Sequence, residues 1–302
     1  MDPASLDRAD RLAGPLADQL LVTVADLADD ATAAVAFSGG ADSALVLGAC
    51  VRALGSTRTL AVTAVSPSLS TAELDHARRI ADDLGVVHLL PNSDELSRPG
   101  YAENSPTRCF HCKTEVISVV FRAAAATVAR PVVVMTGTNA DDLTSPHRPG
   151  IAAAQRLGAV TPLASLSKAE VRAVSRIWGL PTWDKPAQAC LASRLAYGVA
   201  VSAESLQRVQ RAEAALRSEL KRRDWHVRDL RVRDLGDDRA SIEVDADIAE
   251  SVAATPAVTD AVRATGFDYV EVDLRGFRSG SMNEVLQISA VSGDSPNGET
   301  GP

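Results

Sequence analysis

Near the amino terminus Leu12, Leu16, Leu20, Val24 and Leu27 recur at helical spacing, which predicts an amphipathic helix over about 1–28. Short apolar runs then alternate with helical stretches. Strands are predicted over 33–37, 59–65, 86–90 and 131–135, and helices over 41–54, 71–84, 113–128 and 168–178, with an irregular stretch over about 91–108. Strands alternating with helices mean crossover units and a parallel sheet covered on both faces. Pro162, Pro181 and Pro186 punctuate the later connections.

Past residue 200 the pattern changes. A charged helix is predicted over 203–223, strands over 230–232, 240–244 and 269–273, and a helix over 246–265, which together make a small α+β module. The expected division is a first domain over 1–200, a second over 201–290 and a disordered tail over 291–302, which holds too few apolar residues to form a core.

At 302 residues with 46% hydrophobic content, the chain is long enough for one large core and one smaller one. Its formal net charge of -8 lacks the broad positive field that draws proteins to phosphate backbones or anionic lipid. DNA, RNA and membrane are therefore not expected partners. Neither a signal segment nor a long apolar span stands out, so a cytoplasmic protein is expected. Four cysteines are too few for a disulfide scaffold, and metal or catalytic use is the better reading.

The chemistry-bearing residues begin at the end of the first predicted strand. Ser38-Gly39-Gly40-Ala41-Asp42-Ser43 follows that strand and opens a helix, at the sheet edge where open α/β folds bind ligands. Gly39 and Gly40 let backbone amides approach phosphate oxygens, Ser38 and Ser43 add hydroxyls, and the helix start adds its dipole. Asp42 suits a magnesium ion bridging phosphates. The loop has neither the Gly-Lys-Ser/Thr ending of a Walker loop nor the third glycine of a dinucleotide fingerprint. It resembles the SGGxDS loop of the ATP pyrophosphatases, which cleave ATP between the α and β phosphates. The fold this implies is an α/β, parallel-sheet ATP pyrophosphatase (adenine nucleotide alpha hydrolase-like) domain followed by the small α+β domain.

A second loop, Thr136-Gly137-Thr138-Asn139-Ala140-Asp141-Asp142, leaves the 131–135 strand at the same edge. Gly137 and Asn139 are placed to meet the nucleotide and Asp141 or Asp142 the metal; a helix cap is the alternative for one of these acids.

Cys109 and Cys112 are spaced to reach one metal or cluster, and Cys190 is the third candidate. Three thiolates with no fourth suit a [4Fe-4S] cubane with one open iron. Zinc completed by His111, or a redox disulfide, stays open. Cys50, in an apolar helix, reads as an inert buried thiol.

SGGADS, RCFHCK, TGTNADD, HRPG, PLASLSKAEVR and LPTWDKPAQACLASRLAYG resemble the LarE family, over about 30–285. That resemblance implies an ATP-dependent sulfur transferase of nickel-pincer nucleotide synthesis. Its substrate is a pyridinium-3,5-biscarboxylic acid mononucleotide, whose adenylated carboxylates become thiocarboxylates. One branch of the family sacrifices the sulfur of a lone cysteine at the position of Cys190. Another holds an iron-sulfur cluster on three cysteines, and Cys109 and Cys112 beside Cys190 put this chain in the second. The resemblance places Arg194, Glu213, Arg231, Arg233 and Glu243 in the substrate pocket and implies a homo-oligomer, a hexamer built from dimers. Ser241 stands where the family pattern has an arginine before Ile242-Glu243.

The arginines have support of their own. Residues 221–233 hold six basic against two acidic residues, and guanidinium groups bind carboxylate and phosphate in a bidentate way. Lys221, Arg222 and Arg223 read as a solvated helix end, and Arg278 as part of a Gly-rich turn. Two related chemistries use the same loop: tRNA thiolation, which calls for an extended basic surface, and ammonia-dependent amide synthesis, which has no use for three placed cysteines. A nucleotide-binding module without turnover is the non-enzymatic alternative.

Overall fold

The computed structural model describes residues 3–145, 148–186 and 189–278. It divides into two compact units, one running to Cys190 and including Val201–Ala203, the other comprising Leu191–Ala200 and the chain from Glu204 onward. The expected tail over 291–302 lies outside the described residues. No helix among the described residues is long and apolar enough to cross a membrane.

The first unit is built on four parallel strands, β1 (Thr32–Ala36), β2 (Thr59–Val62), β3 (Val87–Leu89) and β4 (Val132–Met135), in the order β3-β2-β1-β4. The helices around them are α1 (Pro3–Ala28), α2 (Ala41–Leu54), α3 (Thr71–Asp83), α4 (Pro99–Ala102), α5 (Arg108–Thr127), α6 (Ala140–Thr144), α7 (Pro149–Arg156) and α8 (Lys168–Ile177). From β1 the chain winds outward through β2 to β3 and then returns to lay β4 on the other side of β1. The winding therefore reverses between β1 and β4, and loops leaving those two strands flank the crevice that such a reversal opens.

Both faces of the sheet are covered. Val35, Leu45, Leu47, Ile80, Leu163 and Val174 belong to one core, while Ala34, Leu60, Val62, Ile117, Val120 and Val134 form the other. β1 is buried through Thr32–Val35, which explains its continuous apolar run and the absence of alternation.

The predicted stripe of α1 holds in its middle, where Leu20 and Val24 are buried and Leu16 packs on the core. It fails at Leu12 and Leu27, which are 37% exposed while Ala9, Ala13, Ala17 and Ala28 are buried instead. The cause is α8: its Ala169 and Ala173 meet Ala9 and Ala13, and small side chains let two helices lie close together. A second difference bears on the site. The predicted 113–128 helix begins five residues earlier, at Arg108, so Cys109 and Cys112 stand at the start of α5 and not ahead of it.

The second unit contains α9 (Ala203–Arg222) and the strands β5 (Leu230–Gly236), β6 (Arg239–Val244) and β7 (Tyr269–Val272), in the order β5-β6-β7. β5 and β6 are antiparallel and β6 and β7 parallel. The parallel pair needs a crossover, supplied by α10 (Ala249–Ala253) and α11 (Pro256–Arg263). The single helix predicted over 246–265 is thus two, because Pro256 has no N–H to continue α10 and instead opens α11. Leu206, Val209, Ala212, Leu216 and Leu220 of α9 are buried in this unit with Leu230, Val232, Ile242 and Val244.

Candidate active site

The phosphate loop is shaped by its own small side chains. Gly39 has φ +71, in the left-handed region that favours glycine, and packs on Ala77 of α3. Ser43 Oγ is the hub: it donates to the Gly40 carbonyl at 3.2 Å, accepts the Ser38 N–H at 3.3 Å and shares a hydrogen bond with Ser38 Oγ at 3.1 Å. Gly40 is the N-cap residue of α2 and makes no side-chain cap, so the N–H groups of that first turn remain directed at whatever binds there.

The second loop meets the first closely. A Cβ on Gly137 would lie 2.7 Å from Ser43 N and 2.9 Å from the Asp42 carbonyl carbon, so only glycine fits. Asn139 Nδ2 donates to Asp42 Oδ1 at 3.0 Å, while its Oδ1 accepts the Asp142 N–H at 3.0 Å in a capping box that starts α6. Asp142 therefore takes the cap role and also pairs with Arg148 at 2.9 Å. Asp141 accepts the Lys168 N–H at 3.0 Å, and the Lys168 ammonium pairs with Asp42. Asp42 and Asp141 thus attach to two nitrogens of one lysine. This donor set fits magnesium, which takes one or two carboxylates and fills its remaining positions with phosphate and water.

The cysteines occupy the same unit. Cys109 and Cys112 are three apart on α5 and so face one side of the helix. Cys109 and Cys190 are exposed and Cys112 half-buried. Burial, then the charge of Cys190 and that of Glu95, pushes the Cys112 thiol up. Tyr101, fully buried with its hydroxyl on Ser68, is likewise pushed up by burial and then by Cys190, with Cys112 adding to it. The Arg108 guanidinium is 5% exposed and donates to Asn104 Oδ1 at 2.5 Å. Burial works against its charge, but Cys190 and a hydrogen-bonded Cys109 outweigh that and raise it. All three thiols therefore act on one neighbourhood around Tyr101 and Arg108.

Among the described residues no three His, Cys, Asp or Glu side chains are arranged to hold a metal ion. The donor chemistry suits a cluster nonetheless: three soft ligands beside the Arg108 cation, which would offset its negative charge. Lys113 links the two halves of this unit's chemistry. Burial lowers its pKa, while Cys112, Asp142 and Cys109 act to raise it. Cys50, by contrast, is fully buried against Met135 and is pushed up to about 12 by burial.

In the second unit β5 and β6 set Arg231 opposite Glu243 and Arg233 opposite Ser241. Arg233 donates to Glu243 at 2.9 Å and to the Ser193 carbonyl at 2.6 Å. Arg194 forms a two-point pair with Glu213 at 2.8 and 3.3 Å, and Glu213 also accepts the Val232 N–H. Arg231 lies 5.1 Å from the Phe277 ring centroid; burial, then the charge of Arg194, lowers it to about 10. Arg194, Arg231, Arg233, Glu213 and Glu243 are all at most 9% exposed, a cluster of guanidinium groups of the kind that binds carboxylate and phosphate.

The remaining sequence candidates are accounted for locally. Arg222 and Arg223 pair with Glu219 at the end of α9, and Arg278 contacts Asp273 and the Gly276 carbonyl, the latter at 3.2 Å. Sequence reasoning passed over Lys168, Lys185, Arg108 and Lys113. Each was in plain view as a basic residue inside a quoted motif, but only the fold brings Lys168 to Asp42 and Lys185 to Gly39.

Comparison with known proteins adds three findings. The NAD synthase family profile matches residues 20–102, the segment that carries the phosphate loop. The pyridinium-3,5-bisthiocarboxylic acid mononucleotide synthase of Lactiplantibacillus plantarum is 34% identical over 274 residues, which is 90% of this chain and 96% of that protein. An uncharacterized protein of Synechocystis is 40% identical over 259 residues, 84% of this chain and 92% of its own.

Proposed function

Because the chain belongs to the pyridinium-3,5-bisthiocarboxylic acid mononucleotide synthase (LarE) family and is an enzyme of the ATP pyrophosphatase class, we propose that it adenylates the carboxylates of pyridinium-3,5-biscarboxylic acid mononucleotide and converts them to thiocarboxylates. The observation that carries this reading is the coincidence, within one unit, of the two facing loops around Asp42 with Cys112 and the two thiols, Cys109 and Cys190, whose charges bear on it.

In this account amides and hydroxyls of Ser38, Gly39, Gly40 and Ser43 hold the phosphates, Gly137 and Asn139 complete the nucleotide side, and Asp42 and Asp141 hold Mg2+. The loop dipoles stabilise charge on the departing pyrophosphate. Arg194, Arg231 and Arg233 bind the phosphate and carboxylates of the substrate, with Glu213 and Glu243 fixing the guanidinium planes. One substrate carboxylate attacks the α phosphate, pyrophosphate leaves, and an anionic sulfur then displaces AMP from the acyl carbon.

Cys109, Cys112 and Cys190 would hold the [4Fe-4S] cluster, which when bound supplies an open iron that carries sulfur. Arg108, whose charge Cys190 and Cys109 support, is the cation of that neighbourhood and would offset the negative charge of bound sulfur. AMP and pyrophosphate release from ATP and Mg2+ is expected to depend on the pyridinium dicarboxylate. Release that is indifferent to that compound would remove this reading.

A further inference from the structure

The phosphate loop has a second cation that the account above does not use. Lys185 Nζ donates to the Gly39 carbonyl at 3.1 Å and to Glu73 Oε2 on α3 at 2.7 Å. Its backbone is held on both sides, with its N–H on the Thr182 carbonyl at 3.1 Å and its carbonyl accepting from Arg172 of α8 at 3.3 Å. The side chain is 15% exposed and that of Glu73 24%. An ammonium has three protons, and two are taken here; the third has no acceptor among the described residues.

The contact with Gly39 sets more than one atom. A peptide unit is planar, so fixing the Gly39 carbonyl fixes the Gly40 N–H on the opposite side, at the entrance to α2. We propose that Lys185 is both the positioning residue for the phosphate loop and a direct ligand of the β and γ phosphates. Its charge is held by Glu73 until the nucleotide arrives. Glu73 is then a competitor: a carboxylate keeping the ammonium occupied lowers the apparent affinity for pyrophosphate-bearing ligands. Lys168, at the start of α8 and paired with Asp42 beside the metal donors, is a separate cation.

This inference rests on the ATP reading of the loop and makes opposite predictions for the two partners. In calorimetric titrations with Mg2+ at fixed salt, K185M weakens binding of ATP and of inorganic pyrophosphate about tenfold or more, through loss of a charge-assisted contact, and alters AMP binding less than about twofold. E73Q keeps a hydrogen-bonding group but removes the competing charge, and so tightens ATP and pyrophosphate binding. K185R recovers part of the loss.

Equal weakening of ATP and AMP in K185M, or weakening in E73Q, reduces Lys185 to a structural tether and overturns the proposal. Should K185M not fold, the direction of the E73Q effect decides alone. Wild-type protein that binds neither ATP nor pyrophosphate refutes the ATP reading itself; wild-type binding with K185M unchanged refutes only the role of Lys185.

Discussion

Gly137 and Ser43 are packed so closely that a single added carbon on Gly137 would lie 2.7 Å from the Ser43 amide nitrogen. One residue follows β4 and the other opens α2, so this contact fixes the separation of the two loops at the reversal between β1 and β4. The neighbouring atoms are backbone, which cannot swing aside as a side-chain end would.

G137A should therefore move one loop relative to the other. Overpacking of this kind costs about 1–3 kcal/mol, and misplacement by an ångström at a reacting centre costs roughly 100-fold in rate. Denaturation midpoints together with pyrophosphate release measure both effects, and the loss of turnover should be the larger. A variant with unchanged turnover would mean that the loops tolerate a new separation.

Much of this arrangement was legible before any coordinates. The hexapeptide SGGADS after an apolar run announces a phosphate loop, and TGTNADD after another announces its partner, because glycine and short polar residues at strand ends have a definite use. The start of α5 was less legible. Cys, Phe and His are weak helix formers, and Thr107 makes no capping hydrogen bond, so nothing local marks Arg108 as a first turn. The break at Pro256 was legible and was passed over. Lys168 and Lys185 reach their partners across 126 and 146 residues of chain, a separation that no periodicity reveals.

Asp42→Asn preserves size and can still accept from Asn139, but removes the charge that Lys168 and a magnesium ion see. Turnover is expected to fall by about 100-fold or more with little loss of stability, and extra Mg2+ should recover only part of it. Steady-state pyrophosphate release across a magnesium titration checks this.

The arginine cluster predicts a division between stability and binding. Glu243→Gln leaves Arg233 buried without its carboxylate, and removing one partner of such a pair costs about 3–5 kcal/mol. Arg231→Met removes a cation already disfavoured by burial and by Arg194, so the denaturation midpoint should hold or rise. Substrate KM should rise about tenfold or more, because a charge-assisted contact to an anion is lost. A midpoint that drops as far for Arg231→Met as for Glu243→Gln would make Arg231 a structural arginine and not a substrate ligand.

His88 predicts a pH effect on stability. Its Nε2 is 2.8 Å from Thr63 Oγ1, which donates onward to the Phe37 carbonyl at 2.6 Å, and Nδ1 is buried with no hydrogen-bond partner among the described residues. Burial, then the charge of Arg78, holds the imidazole below its ordinary pKa. The unfolded chain consequently takes up a proton first as pH falls, and stability present above the ordinary histidine pKa is lost on acidification. Melting temperature should decline from about pH 7.5 to about pH 5.5, and His88→Gln should flatten part of that decline.

The cysteine assignment predicts iron and acid-labile sulfide after anaerobic purification, lost together in C112S and in C190S. Stoichiometric zinc would contradict the cluster, and dehydroalanine at position 190 after turnover would make Cys190 itself the sulfur donor.

The most direct measurement is a mass spectrum of pyridinium-3,5-biscarboxylic acid mononucleotide after anaerobic incubation with ATP, Mg2+, sulfide and reconstituted protein. Replacement of carboxylate oxygen by sulfur, accompanied by AMP and pyrophosphate, is the expected result. An unaltered pyridinium compound, with turnover triggered instead by tRNA or by ammonia, would contradict it.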